Sequence, residues 1–323
     1  MNKDMIYFGI DISKDVFDVM DSNDNYNQFE NTQKGFIKFV RLLDKNSHCV
    51  MEATGYYHYK LAYYLIENNI RVSVENPLSV KRFIQMRLSK IKTDKSDAKM
   101  ICLYGQNVDL KLWKGQSKNQ IECLQITRLL SLYFKQTTAI KNKIHGEDVL
   151  GNPSLLVVRS LKRSLKFKQK EIKHLEEKLT EIVKQDHQEL LTRLQSIPGL
   201  GRKTSIMLIV LTDGFERFTS ASELCSYSGL TPIIRQSGTS VRGRARISKM
   251  GNRKLRNLLF MCSFTACKNN KACKALYDRI VSKGKSKKLA LIAVCNKLLK
   301  QAFAIAKSGL IYDETYRSTL VKN

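Results

Sequence analysis

Four acidic side chains stand where an acid is expensive unless it has chemistry to do. Asp11 lies mid-run in Tyr7-Phe8-Gly9-Ile10-Asp11-Ile12, an apolar stretch in which an uncompensated charge is unfavourable. Glu52 closes a second apolar run, His48-Cys49-Val50-Met51. Asp94 and Asp97 open a helical stretch three residues apart, which puts both on one helix face. Carboxylates converging from two strands and a helix form a donor set for two divalent cations. Such a pair, roughly 3.5–4 Å apart, activates an attacking oxygen and stabilises a leaving one in phosphoryl transfer. Each acid also has a plainer use. Asp94 suits an N-cap, Asp97 a first-turn acid favoured by the helix dipole, and Glu52 a turn.

The elements that must position these acids are legible in the patterning. Tyr7 to Ile12 and Val16-Phe17-Asp18-Val19-Met20 read as strands, followed by a polar turn over Asp21 to Asn25. Gly35 to Leu43 has helical spacing, His48 to Met51 reads as a buried strand, a helix runs through Tyr64 and Leu65, and Arg71 to Val74 is a short strand. A helix starting near Lys95 carries Ala98, Ile101, Cys102 and Gly105. Three early strands followed by alternating helix and strand predict an α/β domain with a mixed sheet over 1–110.

Residues 111–190 have helical spacing, broken at Gly151-Asn152-Pro153 into two helices able to pair as an antiparallel hairpin. Leu161, Leu165, Lys168, Ile172, Leu175, Leu179 and Ile182 step alternately by four and three, the pattern of a coiled-coil seam. We expect that seam to be exposed and to join subunits, the alternative being packing within its own domain. Residues 191–323 predict a mainly α domain with core helices at Leu255 to Phe264 and Leu289 to Ala306, and an ordered loop from Gly229 to Gly251.

Charge divides along the same lines. The chain has 323 residues and a net charge of +27, distributed as +1 over 1–110, +7 over 111–190 and +19 over 191–323. A neutral first segment followed by a strongly basic remainder implies a polyanionic partner, DNA or RNA. We read no long apolar span, signal peptide or lipidation motif, so no membrane association is expected. The eight cysteines form no Cys-x-x-Cys pair and read as reduced, buried thiols of a cytoplasmic protein rather than a zinc site.

Two stretches of the basic segment suit phosphate. Ser196-Ile197-Pro198-Gly199-Leu200-Gly201-Arg202-Lys203-Thr204 resembles a helix-hairpin-helix turn, in which glycines let backbone N–H groups approach a phosphate at a helix start. A plain turn between core helices fits the same residues. Further on, Arg235, Arg242, Arg244, Arg246, Lys249, Arg253 and Arg256 surround a Gly- and Ser-rich loop, where arginines and backbone amides can grip phosphates and offset transition-state charge.

Gly9-Ile10-Asp11-Ile12-Ser13-Lys14, Met51-Glu52-Ala53-Thr54-Gly55 and Lys92-Thr93-Asp94-Lys95-Ser96-Asp97-Ala98 resemble, in order, the motifs of DEDD transposases over roughly residues 5–105. Gly229-Leu230-Thr231-Pro232, Ser237-Gly238 and Arg242 to Asn252 resemble the C-terminal domain of the same transposases, the IS one-ten family, over about 190–280. The resemblance implies a RuvC-like, ribonuclease-H-like N-terminal domain, with Asp11, Glu52, Asp94 and Asp97 on Mg²⁺, two ions by the reasoning above. It also implies a serine nucleophile that forms a covalent link to DNA. Ser237 matches that position, with Ser240 the second candidate. A structured bridge RNA, a homo-oligomer (dimer or tetramer) and a nucleoid-associated bacterial setting follow from the same resemblance. Two other readings use part of the sequence: a RuvC-like structure-selective nuclease with water as nucleophile, and a nucleic-acid-binding protein whose acids are structural.

Overall fold

Apolar residues on both faces of the first strands decide the architecture around the acids. The computed structural model describes residues 5–53, 55–88, 93–234, 246–248 and 250–315, and the backbone of 236–237 and 241–242. It divides into two units, Met1–Gln116 and Ser117–Asn323.

The first unit runs β1 (Ile6–Ile12), β2 (Val16–Asp21), β3 (Tyr26–Glu30), α1 (Gln33–Val40), β4 (Ser47–Glu52), α2 (His58–Glu67), β5 (Arg71–Glu75), α3 (Pro77–Met86) and α4 (Asp94–Asn107). Among the described residues the strands form one mixed sheet in the order β3-β2-β1-β4-β5. The β1–β2 and β2–β3 pairs are antiparallel, whereas β1–β4 and β4–β5 are parallel. Phe8, Ile10, Ile12, Phe17, Val19, Cys49, Met51 and Val72 point to one face and pack with Phe36 and Phe39 of α1 and Leu61 and Leu65 of α2. Aromatic rings dominate that layer: Phe17 stacks on Phe29 at 5.3 Å and meets Phe39 edge-on at 5.6 Å. Val50 faces the other way, into a cluster with Val80 and Phe83 of α3 and Met100, Ile101 and Tyr104 of α4. The sheet is therefore covered on both sides, as a parallel β–α–β segment requires.

Gly9 sets how closely α4 lies on this second face. A Cβ there would stand 2.2 Å from both the carbonyl oxygen of Ala98 and the backbone nitrogen of Cys102, so only glycine admits the helix. Gly105 lies against Tyr7 and Val50, so α4 runs antiparallel to β1 and its first turn lies toward the Asp11 end. Gly9→Ala should destabilise the first unit by about 2–3 kcal/mol, the upper range for overpacking a core. A urea midpoint equal to the parent's would mean that α4 is not seated on β1. The start of α4 is fixed by a reciprocal capping box, in which Ser96 N–H donates to Thr93 Oγ1 (3.1 Å) and Thr93 N–H to Ser96 Oγ (2.9 Å).

The second unit contains α5 (Lys118–Val149), α6 (Leu155–Gln195), α7 (Arg202–Thr212), α8 (Ala221–Tyr227), β6 (Pro232–Ile233), β7 (Gln236–Ser237), β8 (Val241–Arg242), β9 (Arg246–Ile247), α9 (Arg253–Asn269), α10 (Lys271–Ser282) and α11 (Lys287–Ser308). The break at 151–153 separates α5 from α6, and the two helices pack on each other. The expected exposed seam is overturned over its C-terminal half. Leu179 and Ile182 are buried in the unit's own core, with Ile172 and Leu175 packed against it. The four-three spacing records a helix held within its own unit, because core packing and a coiled coil demand the same apolar stripe. The loop expected from 229 to 251 contains two short antiparallel pairs, β6–β9 and β7–β8. The core helix expected over Leu289 to Ala306 is α11, which is also long and apolar enough to cross a membrane by length and composition. Its Ala290, Val294, Cys295, Leu298, Leu299 and Ala302 are buried in the core of the unit. All eight cysteines are free, and all but Cys267 are buried.

Candidate active site

Strand alternation places Asp11 two residues from Gly9, hence on the face that α4 covers. Ile10 pairs with Met51 in the parallel β1–β4 ladder, and Asp11 and Glu52 are the next residues on the two strands. Asp94 and Asp97 occupy the first turn of α4, at the end lying toward Asp11. Asp94 is exposed, whereas Asp11, Glu52 and Asp97 are half-buried. The structure thus brings the four candidate acids to one face and one end of the sheet.

Burial first, and then the charges of Asp97, Asp94, Asp18 and Glu52 in that order, push the Asp11 carboxyl up to about 6. A cation held there would be favoured by the same field that penalises the bare carboxylate. Four carboxylates are also the all-oxygen donor chemistry that hard divalent ions take. In donor type and charge the residues fit such an ion. Among the described residues, however, no group of three or more His, Cys, Asp or Glu lies close enough together to hold a metal ion.

Two further acids share this face. Asp18 lies directly across the β1–β2 ladder from Asp11, and Glu75 across the β4–β5 ladder from Glu52. Each accepts a tyrosine hydroxyl: Tyr26 donates to Asp18 at 2.5 Å and Tyr104 to Glu75 at 3.3 Å. Sequence reading passed over both, although Asp18 gave the signal that singled out Asp11, an acid inside an apolar strand.

In the second unit the candidate phosphate contacts differ in what already holds them. Gly199 has φ +103°, and a Cβ there would stand 2.6 Å from the Ala266 methyl, so its glycine serves the packing of the turn on α9. Gly201 is the N-cap of α7 and provides no side-chain cap, so the first amides of α7 lack a side-chain acceptor from that position. Arg202 is exposed there. Lys203 is ion-paired with Glu176 and lies 4.7 Å over the Phe134 ring. Arg256 donates from Nη1 to the Ser228 carbonyl at 2.8 Å and so braces the base of the 229–251 loop. Arg246 and Arg253 are exposed, at β9 and the start of α9. The backbone of Ser237 pairs with Val241, and that of Gln236 with Arg242. Arg235, Ser240, Arg244 and Lys249 lie outside the described residues. A half-buried lysine that sequence reading missed, Lys254, donates from Nζ to the Thr127 carbonyl (3.1 Å) and to Ser131 Oγ (2.7 Å), and partial burial lowers its ammonium to about 8.

Comparison with known proteins gives this geometry its context. Residues 8–148 match the DEDD transposase model of IS110, and residues 191–278 match the transposase model of the IS116/IS110/IS902 family. The pilin gene-inverting protein of Moraxella lacunata is 32% identical over 95% of this chain and 98% of its own length. The chain belongs to the IS110 family of transposases. A second pilin gene-inverting protein, from Moraxella bovis, is also 32% identical over the same shares of the two chains. The transposase of insertion sequence IS1111A from Coxiella burnetii is 24% identical over 98% of this chain and 92% of that protein. IS110 transposases are DNA recombinases, and a DEDD domain implies the use of divalent metal. For this IS110 member, duplex binding should weaken steeply with salt, since each phosphate neutralised contributes about −0.9 to the slope of log K against log salt. Replacing Arg246 or Arg253 by Gln should reduce the slope by about 1 each. A slope near zero for the parent chain would show that its positive charge does not meet phosphates.

Proposed function

We propose that this transposase cuts and rejoins DNA through a serine–DNA ester formed by Ser237, served by a metal centre on Asp11, Glu52, Asp94 and Asp97. One observation carries the metal-centre part: Asp11 and Glu52 lie on one sheet face, Asp94 and Asp97 lie at the start of the helix that covers it, and the other three all bear on the Asp11 carboxyl. The mixed strand order supports a RuvC-like, ribonuclease-H-like domain over 1–110. We assign 111–190 to a helical linker and 191–323 to the serine-bearing domain with its helix-hairpin-helix-like turn.

Two Mg²⁺ ions on the carboxylates would supply activation of the attacking oxygen and stabilisation of the leaving one. Ser237 Oγ forms the bond to phosphorus, the phosphorus–oxygen bond to the departing strand breaks, and the departing oxygen takes the serine proton. Residues 229–256 contain no histidine and no carboxylate, so a base must come from elsewhere, consistent with a composite site. Arg242, Arg246 and Arg253 offset charge on the phosphate.

Two relatives similar over nearly their whole length are named for gene inversion, a reaction in which cut ends are retained and rejoined. That favours a covalent intermediate over a nuclease that spends the bond on water. A bridge RNA, pairing with donor and target, is the proposed source of specificity, and the exposed basic surface suits its backbone. Assembly as a dimer or tetramer is proposed through the exposed apolar tip of the α5–α6 hairpin, Val149, Leu150, Leu155 and Leu156, rather than through the buried seam. Labelled DNA incubated with protein and Mg²⁺, then denatured, should migrate with the protein. Cleaved DNA free of protein would favour the water-using nuclease.

A further inference from the structure

The face that α4 covers carries a carboxylate that the proposed chemistry does not use. Asp18 is 3% exposed, directly opposite Asp11 in the β1–β2 register. A carboxylate buried to that degree is retained only where hydrogen bonds answer its charge. Two donors do so at the same oxygen: Tyr26 Oη reaches Asp18 Oδ1 at 2.5 Å, and Gln28 Nε2 reaches it at 3.0 Å. Gln28 is the β3 residue paired with Asp18, so its amide is delivered by the sheet itself. Tyr26 has a second contact, the ammonium of Lys95, 5.0 Å above its ring centroid. Lys95 lies between Asp94 and Asp97 in the first turn of α4. A continuous series of contacts therefore runs from the cross-strand neighbour of Asp11 to the helix start that bears the other two aspartates.

If the role of Asp18 were only to join β2 to β3, a neutral amide would serve as well, since its oxygen accepts the same two bonds. A negative charge fixed beside Asp11 does more. It repels the Asp11 carboxylate, which restricts where that group points, and it attracts a cation to the same place. We infer that Asp18 is a positioning residue for the metal centre, acting on Asp11 through its fixed charge and on the α4 start through Tyr26 and Lys95. This rests on the reading that Asp11, Glu52, Asp94 and Asp97 hold a divalent cation.

Titrating the full chain with Mn²⁺ alone, read by the electron paramagnetic resonance of free Mn²⁺, tests it without reference to recombination. Asp18→Asn should raise the half-saturating Mn²⁺ concentration about tenfold, the lower end of what losing an outer partner of a metal ligand brings. Tyr26→Phe, which keeps the charge and removes its anchor, should raise the midpoint about threefold, the size of one modest hydrogen bond. Thermal melts of Asp18→Asn should stay close to the parent's. Tyr26→Phe, which takes one donor from a buried carboxylate, should melt lower yet remain folded at the temperature of the titration. Asp11→Asn should lose binding and reports on the centre itself. Parent-like midpoints in Asp18→Asn and Tyr26→Phe, with binding lost in Asp11→Asn, would overturn the inference and leave the metal centre standing. Parent-like binding in Asp11→Asn would remove the centre, and the inference with it. A shift in Asp18→Asn alone would keep the charge effect and strike out the Tyr26–Lys95 arm. Should Asp18→Asn fail to fold, a raised midpoint in Tyr26→Phe supports the inference and a parent-like midpoint overturns it.

Discussion

Ser237→Ala is expected to bind DNA and divalent metal as the parent does and to form no protein–DNA adduct, a loss of at least about a thousandfold. Removing one oxygen deletes the proposed nucleophile without touching the arginines proposed to hold the phosphate. The backbone at 237 is paired in β7–β8, a setting that alanine tolerates, so the variant should fold. Ser240→Ala should retain the adduct, at somewhat reduced yield. Denaturing electrophoresis followed by peptide mapping of the attached residue distinguishes the two serines. An adduct mapped to Ser240 would move the nucleophile by three positions and keep the mechanism. The chemistry makes the distinction important, because an ester on the protein stores the energy of the broken bond until a new strand end returns it. Hydrolysis by water cannot be reversed that way.

Asp11→Asn and Asp97→Asn should each abolish strand cleavage, by about three orders of magnitude or more, while leaving salt-dependent DNA binding intact. The two acids approach from different elements, a strand and a helix start, so loss in both would be hard to ascribe to a local folding defect. Asparagine preserves the volume of each side chain and removes one charge from a region where carboxylates raise one another's proton affinity. The folded state should therefore be no less stable at Asp11, where the bare carboxylate is penalised. Cleavage at the parent rate by either variant would mean that the carboxylate centre is wrongly placed.

The strands bearing the acids were legible in the sequence because burial on both faces writes itself as a continuous apolar run, in which an acid stands out. Phe8, Ile10 and Ile12 face α1 and α2, whereas Gly9 and Asp11 face α4. The helix bearing Asp94 and Asp97 was legible from its apolar spacing, but its N-cap is Thr93 rather than Asp94, so it starts one residue before the expected Lys95. Asp18 was hidden in plain sight: an acid in an apolar strand has the same appearance whether it serves chemistry or accepts two hydrogen bonds. Its place opposite Asp11 depends on a turn length and a register that composition does not state. The α5–α6 seam shows the converse problem, since an apolar stripe specifies burial but not the partner that provides it. Arg256 was read with the other loop arginines, and only the fold shows its guanidinium engaged by the Ser228 carbonyl. The short β6–β9 and β7–β8 pairs escaped notice because two residues carry no period.

The thiols offer a clock for unfolding. Cys49 and Cys102 are buried in the first unit, and Cys123, Cys225, Cys262, Cys273 and Cys295 in the second. A maleimide reaches such a sulfur only when the surrounding core opens, so its labelling rate measures that opening. Partly exposed Cys267 supplies an internal reference for the reagent. Mapping labelled peptides over time would resolve which unit opens first, and whether DNA slows one, the other or both, with no added probe and no change to the sequence.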